Sequence, residues 1–232
     1  MAEEIKVPGN KEEWLKFWNE WGSDCDHPET DPCPMLQKHL DKLVNGKKNA
    51  KIFVPLCTKS IDLKWLADQG HTVVGLEVAE SCIQSFFKEQ KLEFTVEMGL
   101  GGKAKIYKAV NHNIKLYVAD FFDFNKEAEG QFDGVWDRRA MISLNKDQYP
   151  RYVALIKTLL APDGRCLFVN ADFDRTTCPG PYLVTHEMLK DLYKDGYKVE
   201  YVDERNRSEK DDPEELVGFK WFLEKMFLIS KA

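Results

Sequence analysis

"IFVPLCTKSIDL", residues 52–63, reads as a buried strand that breaks into a turn and then opens a helix. In nucleotide-binding α/β folds that junction usually carries glycines, which let the backbone come close to the ligand. This junction has none. A dinucleotide brings a pyrophosphate, and glycines let the helix N-terminus meet it. A nucleotide-like ligand without phosphate makes no such demand. A turn of Pro55, Leu56 and Cys57 then keeps its side chains, and Leu56 is placed to line a pocket.

Outward from this junction, strands and helices alternate. A strand over 51–56 is followed by a helix ended by Gly70, a strand over 71–78 and a helix over 79–90. Such alternation implies βαβ units and a parallel sheet. Residues 93–98 and 104–110 flank "GLGGK" and suit a hairpin, since no helix and no Lys-Ser/Thr ending follows to make a phosphate loop. "IKLYVADFFDF" and "QFDGVWDRR" each end an apolar strand in acidic and aromatic residues. A helix stopping before Pro162, a strand over 165–173 and a helix capped by Thr185 and stopped at Gly196 continue the series. The last two strands, in 197–205 and 219–230, have no helix between them and read as an antiparallel pair. Upstream, Trp14, Phe17, Trp18 and Trp21 share one face of a helix over 11–21. Pro28, Pro32 and Pro34 then break the chain before a second helix that stops at Asn45-Gly46. The outline is a Rossmann-like methyltransferase fold. It comprises a mostly parallel seven-stranded sheet with an antiparallel C-terminal pair and helices on both faces. One domain spans 1–232, with 1–46 as a helical cover over the cofactor site and 47–232 as the core.

Composition narrows the function. At 43% hydrophobic and 12% aromatic residues, 232 residues can bury a sizeable core. A net charge of −6 argues against non-specific nucleic-acid binding, which needs a surplus of Lys and Arg. The polar N-terminus and the lack of an 18-residue apolar run lead us to expect a cytoplasmic protein without membrane attachment. The scattered cysteines suggest buried thiols, not a disulfide framework. Cys25, His27 and Cys33 fit no common metal spacing, so no metal is expected. His186 reads as a residue of a helix start.

Ligands of doubly wound sheets bind at the carboxyl ends of the strands. Glu77 ends the second strand twenty residues after Cys57 and is placed to accept hydrogen bonds from ribose hydroxyls, or is a solvated strand end. Asp120 and Phe121 can meet an adenine amino group and ring, or Asp120 begins an acidic helix start capped by Asp123. Arg138, in "WDRRAM", can clamp a carboxylate, or pair with Asp137 to hold a loop. A sugar, a purine and a carboxylate are the three groups of S-adenosylmethionine. Neither a nucleophile elbow nor a glycine-rich dinucleotide fingerprint is present.

Over most of its length the chain resembles the thiopurine S-methyltransferase family. The resemblance runs through "EEWLKFW", "FVPLCTK", "KWLADQGHTVVGLEV", "FDGVWDRRAM", "CPGPYLVTHEMLKDLY" and "FLEKMFLIS". It implies that Trp14 and Trp18 close over the methionine part of S-adenosylmethionine. Leu56, Glu77, Asp120, Phe121 and Arg138 complete the cofactor site, with S-adenosylhomocysteine as product. Arg205 in "VDERN" matches a late arginine near the substrate, with Arg207 as rival. Arg138 and Arg205 are thus the candidates for orienting a thiolate, with no general base. Thr58 and Arg139 stand where the family's turn and its "WDR" motif usually have glycine. The family's substrate-covering aromatic has no clear counterpart near 25–27. The expected partner is a small thiol of the thiopurine-like aromatic or heterocyclic kind, acted on by a monomer. Thiocyanate, halide, sulfide or a selenium compound is the alternative acceptor, and a catalytically silent cofactor-binding module is the alternative role.

Overall fold

The computed structural model describes residues 8–21, 31–174, 183–208 and 220–232. In chain order its helices and strands begin with α1 (Lys11–Trp21), α2 (Pro34–Val44), β1 (Lys51–Val54), α3 (Asp62–Asp68), β2 (Thr72–Glu77) and α4 (Glu80–Glu89). They continue with β3 (Phe94–Gly99), β4 (Ala104–Ala109), β5 (Ile114–Val118), α5 (Lys126–Glu129) and β6 (Phe132–Arg138). Last come α6 (Tyr149–Leu159), β7 (Leu160–Phe173), α7 (His186–Tyr193), β8 (Tyr197–Asn206) and β9 (Phe222–Lys231).

The apolar run in β1 is covered on both faces. Phe53 belongs to one core cluster with residues of α6 and α7. Its neighbours Ile52 and Val54 belong to another with residues of α2, α3 and α4. Alternating Cβ directions in a strand make this split obligatory. β1 pairs in parallel with β2 on one side and β6 on the other. β5 extends the sheet beyond β2, and β7 extends it beyond β6, both in parallel. β9 inserts antiparallel between β7 and β8.

One expectation changes. The sheet has nine strands among the described residues, in the order β3-β4-β5-β2-β1-β6-β7-β9-β8, not seven. Residues 94–99 and 104–109 form the expected hairpin around "GLGGK". Its inner strand β4 pairs antiparallel with β5 and buries Ile106 and Tyr107, so the hairpin extends the sheet. Among the described residues of 1–46, those of α1 line the strand-end crevice. α2 packs its Met35, Leu36 and Leu43 into the sheet core.

The order reverses at β1, where the chain first runs toward β2 and β5 and then returns to β6 and β7. This switch point opens a crevice at the carboxyl ends of β1, β2, β5 and β6. Close packing behind it leaves no slack. A Cβ on Gly75, in β2, would meet Leu116 Cδ2 at 2.6 Å and Cys57 Sγ at 2.8 Å. Gly75→Ala is expected to lower unfolding free energy by about 1–3 kcal/mol, through overpacking, measured by chemical denaturation.

Candidate functional site

The crevice is a cavity of about 560 Å³, within the usual range of about 300–1,000 Å³ for small-molecule sites. Trp14, Trp18, Leu56, Glu77, Asp120, Phe121 and Arg138 all line it. Arg205 does not, nor does Arg207.

The turn after β1 is the first wall. Cys57 N–H donates to the Leu76 carbonyl at 2.9 Å, tying the turn to β2. Leu56 and Thr58 both have positive φ, 44° and 45°. For a β-branched residue such as Thr58 this region is a genuine outlier. The backbone there keeps the shape a glycine would take, and the side chain is strained to fit it. The Thr58 N–H repays part of this by donating to Glu77 Oε2 at 3.1 Å.

Glu77 is the second wall. It is 3% exposed, and its Oε1 accepts from Val78 N–H at 2.7 Å and Ala79 N–H at 3.0 Å. Backbone donors at the start of α4 therefore aim the carboxylate. Cys57 lies beside it, and burial, reinforced by the Glu77 charge, pushes the thiol pKa well up. That makes Cys57 a packing residue in its protonated form. Cys33, Cys82 and Cys166 are likewise buried thiols, while Cys25, His27 and Cys178 lie outside the described residues.

The third wall follows β5. Asp120 accepts from Phe122 N–H at 2.8 Å, so this residue, and not Asp123, caps the turn. Lys11 Nζ lies 3.8 Å from its Oδ2. Phe121 is mostly core, stacked on Tyr152 at 4.6 Å between centroids. Phe122 is less buried, and the Arg151 guanidinium sits 4.1 Å over its ring. Both line the cavity, and the sequence reading passed over both.

Above these walls, Trp14 and Trp18 stack at 6.1 Å. Trp18 is also buried against Ala79 and Cys82 of the α4 start. Trp14 Nε1–H donates to the Ser143 carbonyl at 3.0 Å, and Asn145 N–H donates to the Gly9 carbonyl at 3.1 Å. α1 is thus fastened to the segment after β6. The Asn10 side chain accepts from Glu13 N–H while Glu13 Oε2 accepts from Gly9 N–H, which fixes the helix start.

The end of β6 is the charged wall. Asp137 does not pair with Arg138. It accepts from Ala140 N–H, Met141 N–H and the Tyr152 hydroxyl. Burial lifts its pKa to about 6, against the pull of those donors. Arg138 turns to Glu224 of β9 at 3.3 Å and to Asp62 at 3.9 Å. Arg139 also pairs with Glu224, and Arg207 and Arg205 approach it at 3.6 and 4.0 Å. Burial would raise the Glu224 pKa. The guanidiniums of Arg139, Arg138 and Arg207 outweigh it and hold the carboxyl well below its usual range. The sequence contains a signal for this residue. Glu224 falls in phase with the inward-facing Phe222 and Met226, where a carboxylate must be buried and therefore paired.

His186 sits at the start of α7, next to its cap Thr185, and the Val199 carbonyl accepts a hydrogen bond from its Nε2 at 3.1 Å. It does not line the cavity. No group of metal-ligand side chains occurs among the described residues, and none of their helices is long and apolar enough to cross a membrane.

A family model described as thiopurine S-methyltransferase matches residues 9–232. The rat thiopurine S-methyltransferase (Rattus norvegicus) is 36% identical over 200 residues, covering 85% of this chain and 82% of that protein. A probable thiopurine S-methyltransferase of Danio rerio is 31% identical, covering 94% and 93%. Among solved structures, a Burkholderia thailandensis 1,6-didemethyltoxoflavin N1-methyltransferase with bound S-adenosylhomocysteine aligns with TM-score 0.61 at 16% identity, covering 100% and 97%. The [4+2]-cyclase SpnF also aligns at 0.61, with 12% identity and 99% and 98% coverage, so fold alone does not choose the reaction.

Glu224 loses its charge only in strong acid. Its native pKa lies below the usual 4.5, so its stabilisation is complete above that pH and fades as pH falls through the native value. Glu224→Gln, which strands buried guanidiniums, is expected to cost about 3–5 kcal/mol at neutral pH. Denaturation at a series of pH values should show that difference shrinking below pH 4.5.

Proposed function

The chain belongs to the thiopurine S-methyltransferase family and is a methyltransferase. From that premise we propose that it transfers a methyl group from S-adenosylmethionine to the sulfur of a small aromatic or heterocyclic thiol. The observation that carries this reading is the donor set of one cavity. A buried carboxylate, a second carboxylate beside aromatic rings, a tryptophan pair and a guanidinium meet there, without a phosphate-binding turn. These groups match a ribose, a purine, a sulfonium and a carboxylate in one ligand.

Glu77 is assigned to the ribose hydroxyls, because backbone donors already orient its carboxylate at the strand end. Asp120 with Phe121, extended by Phe122, is assigned to the adenine. Leu56 covers the nucleoside from the turn. Arg138, steadied by Glu224, is assigned to the amino-acid carboxylate. Trp14 and Trp18 present ring faces to the sulfonium, an attraction of about 0.5–2 kcal/mol. When bound, S-adenosylmethionine supplies an electrophilic methyl on a sulfonium that departs as a neutral thioether and needs no acid.

No histidine lines the cavity among the described residues, and its lining thiol is held protonated. An acidic thiol that arrives as thiolate needs no base, so the residues act mainly by orientation. Arg205 lies outside the cavity lining and approaches Glu224 from the Oε2 side at 4.0 Å. It acts on a bound thiolate through the field of the cluster and not by contact.

Glu77→Gln is expected to weaken S-adenosylhomocysteine binding at least about tenfold, read by calorimetry. Unchanged affinity in a folded variant overturns the ribose assignment. Methyl transfer from labelled cofactor should reach aryl and heterocyclic thiols ahead of thiocyanate, iodide or sulfide. Transfer only to the inorganic ions, or binding without transfer to any thiol, overturns the acceptor assignment.

A further inference from the structure

Asp137 is a buried acid at the charged end of the cavity, and the assignments above leave it without a use. It is 1% exposed, and its partner Tyr152 is fully buried. Asp137 Oδ1 accepts from Ala140 N–H at 2.9 Å and from Met141 N–H at 3.3 Å, which closes the chain around Arg138 and Arg139. Its Oδ2 accepts from the Tyr152 hydroxyl at 2.8 Å. Glu224 and Asp62 hold the Arg138 guanidinium, whereas Asp137 holds the turn that carries it.

The three donors on Asp137 are neutral, and burial outweighs them. An aspartate in water ionises near 3.8, but this one is lifted to about 6. Stability is therefore lost as pH rises between these values, because Asp137 ionises less readily in the fold than in the unfolded chain. An asparagine would accept the same two N–H groups without that penalty. A destabilising buried carboxylate beside a ligand cavity points to a role there.

Tyr152 joins two walls of the cavity. Its ring stacks on Phe121 at 4.6 Å between centroids, and Phe121 lines the adenine side. Its hydroxyl ends on the carboxylate that holds the turn at Arg138. The ring fixes where the hydroxyl lies, so α6 sets the turn relative to the adenine wall.

We propose that Tyr152 is a positioning residue that acts through Asp137 on the turn carrying Arg138, and so sets the grip on the amino-acid end of the cofactor. The inference rests on the assignment of that end to Arg138. An ionised Asp137 makes charge-assisted bonds to the two N–H groups, shorter and stronger than neutral ones. The hydroxyl helps to keep it ionised, since a hydrogen bond to the charged form favours that form. Protonation slackens the turn, and with it the direction of the guanidinium. The titratable groups facing Asp137 from other elements are Tyr152 of α6, Tyr193 of α7 and Cys166 of β7. Burial pushes all three well up, so they stay neutral while Asp137 titrates.

The test compares S-adenosylhomocysteine with 5′-methylthioadenosine, which keeps the nucleoside and the thioether and lacks the amino-acid group. The ratio of the two affinities cancels what the shared nucleoside wall contributes. Tyr152→Phe keeps the ring on Phe121 and removes the hydroxyl. Near neutral pH it should lower the preference for S-adenosylhomocysteine at least about threefold, read by calorimetry, with 5′-methylthioadenosine binding unchanged. In the wild type the preference should fall as pH drops through about 6, where Asp137 gains its proton. In Tyr152→Phe that fall should move to higher pH. Asp137→Asn should show the low-pH preference at every pH. Equal losses for both ligands in Tyr152→Phe would make the hydroxyl merely structural and overturn the inference. So would an unchanged preference, or one that ignores pH in the wild type. Arg138→Lys, which keeps a charge on Glu224, tests the assignment beneath. If it leaves the preference intact while Tyr152→Phe lowers it, the carboxylate assignment of Arg138 falls and Tyr152 still positions the turn. If it lowers the preference and Tyr152→Phe does not, the assignment stands and the inference falls.

Discussion

A buried carboxylate in the last strand holds the charged wall of the cavity. Glu224 is fully buried, and it stays ionised because arginines from β6, β8 and the residues after β8 converge on it. Alone, either partner would be ruinous in such a place, since a buried charge without a counter-charge costs several kcal/mol. Together they fix the direction of Arg138 and Arg139 at the strand end where the sheet order reverses. The antiparallel pair β8–β9 is therefore more than an edge to the sheet. It supplies the counter-ion that lets cations sit at the crevice.

Much of this was legible in the sequence, for reasons that differ by element. Alternating apolar runs and capping residues fix the βαβ rhythm, and strand ends then nominate Leu56, Glu77, Asp120 and Arg138 without any coordinates. Local chemistry at Asn45, Thr185 and "GLGGK" is equally readable, since turn and cap preferences act within a few residues. What escaped depends on contacts across long separations. Whether the hairpin would stand apart or join β5 is decided by pairing between β4 and β5, not by either strand alone. Whether Asp137 would pair with its neighbour Arg138 is decided by Tyr152 and Glu224. Phe122 and Arg151 come together only because α6 packs beside the end of β5.

The missing glycines tell a related story. At Thr58 and Arg139 the backbone retains a left-handed turn although the residues resist it. In both places main-chain hydrogen bonds, to Glu77 and to Val169, overrule the side chain's preference. Turn geometry at the crevice is thus set by the sheet, and residue identity there is left to answer to the ligand. A reading of "IFVPLCTKSIDL" from propensity alone sees a junction without its glycines. The structure shows the same junction with the glycine conformation preserved.

The reach of Glu224 also bears on how the molecule is made. Its partner Arg138 lies 86 residues earlier in the chain. Local helices and the central parallel strands can form as the nascent chain emerges, but the charged wall lacks its shared carboxylate until Glu224 is synthesised. Such long-range contacts come late in folding. The charged wall is consequently completed only when the last strand is in place.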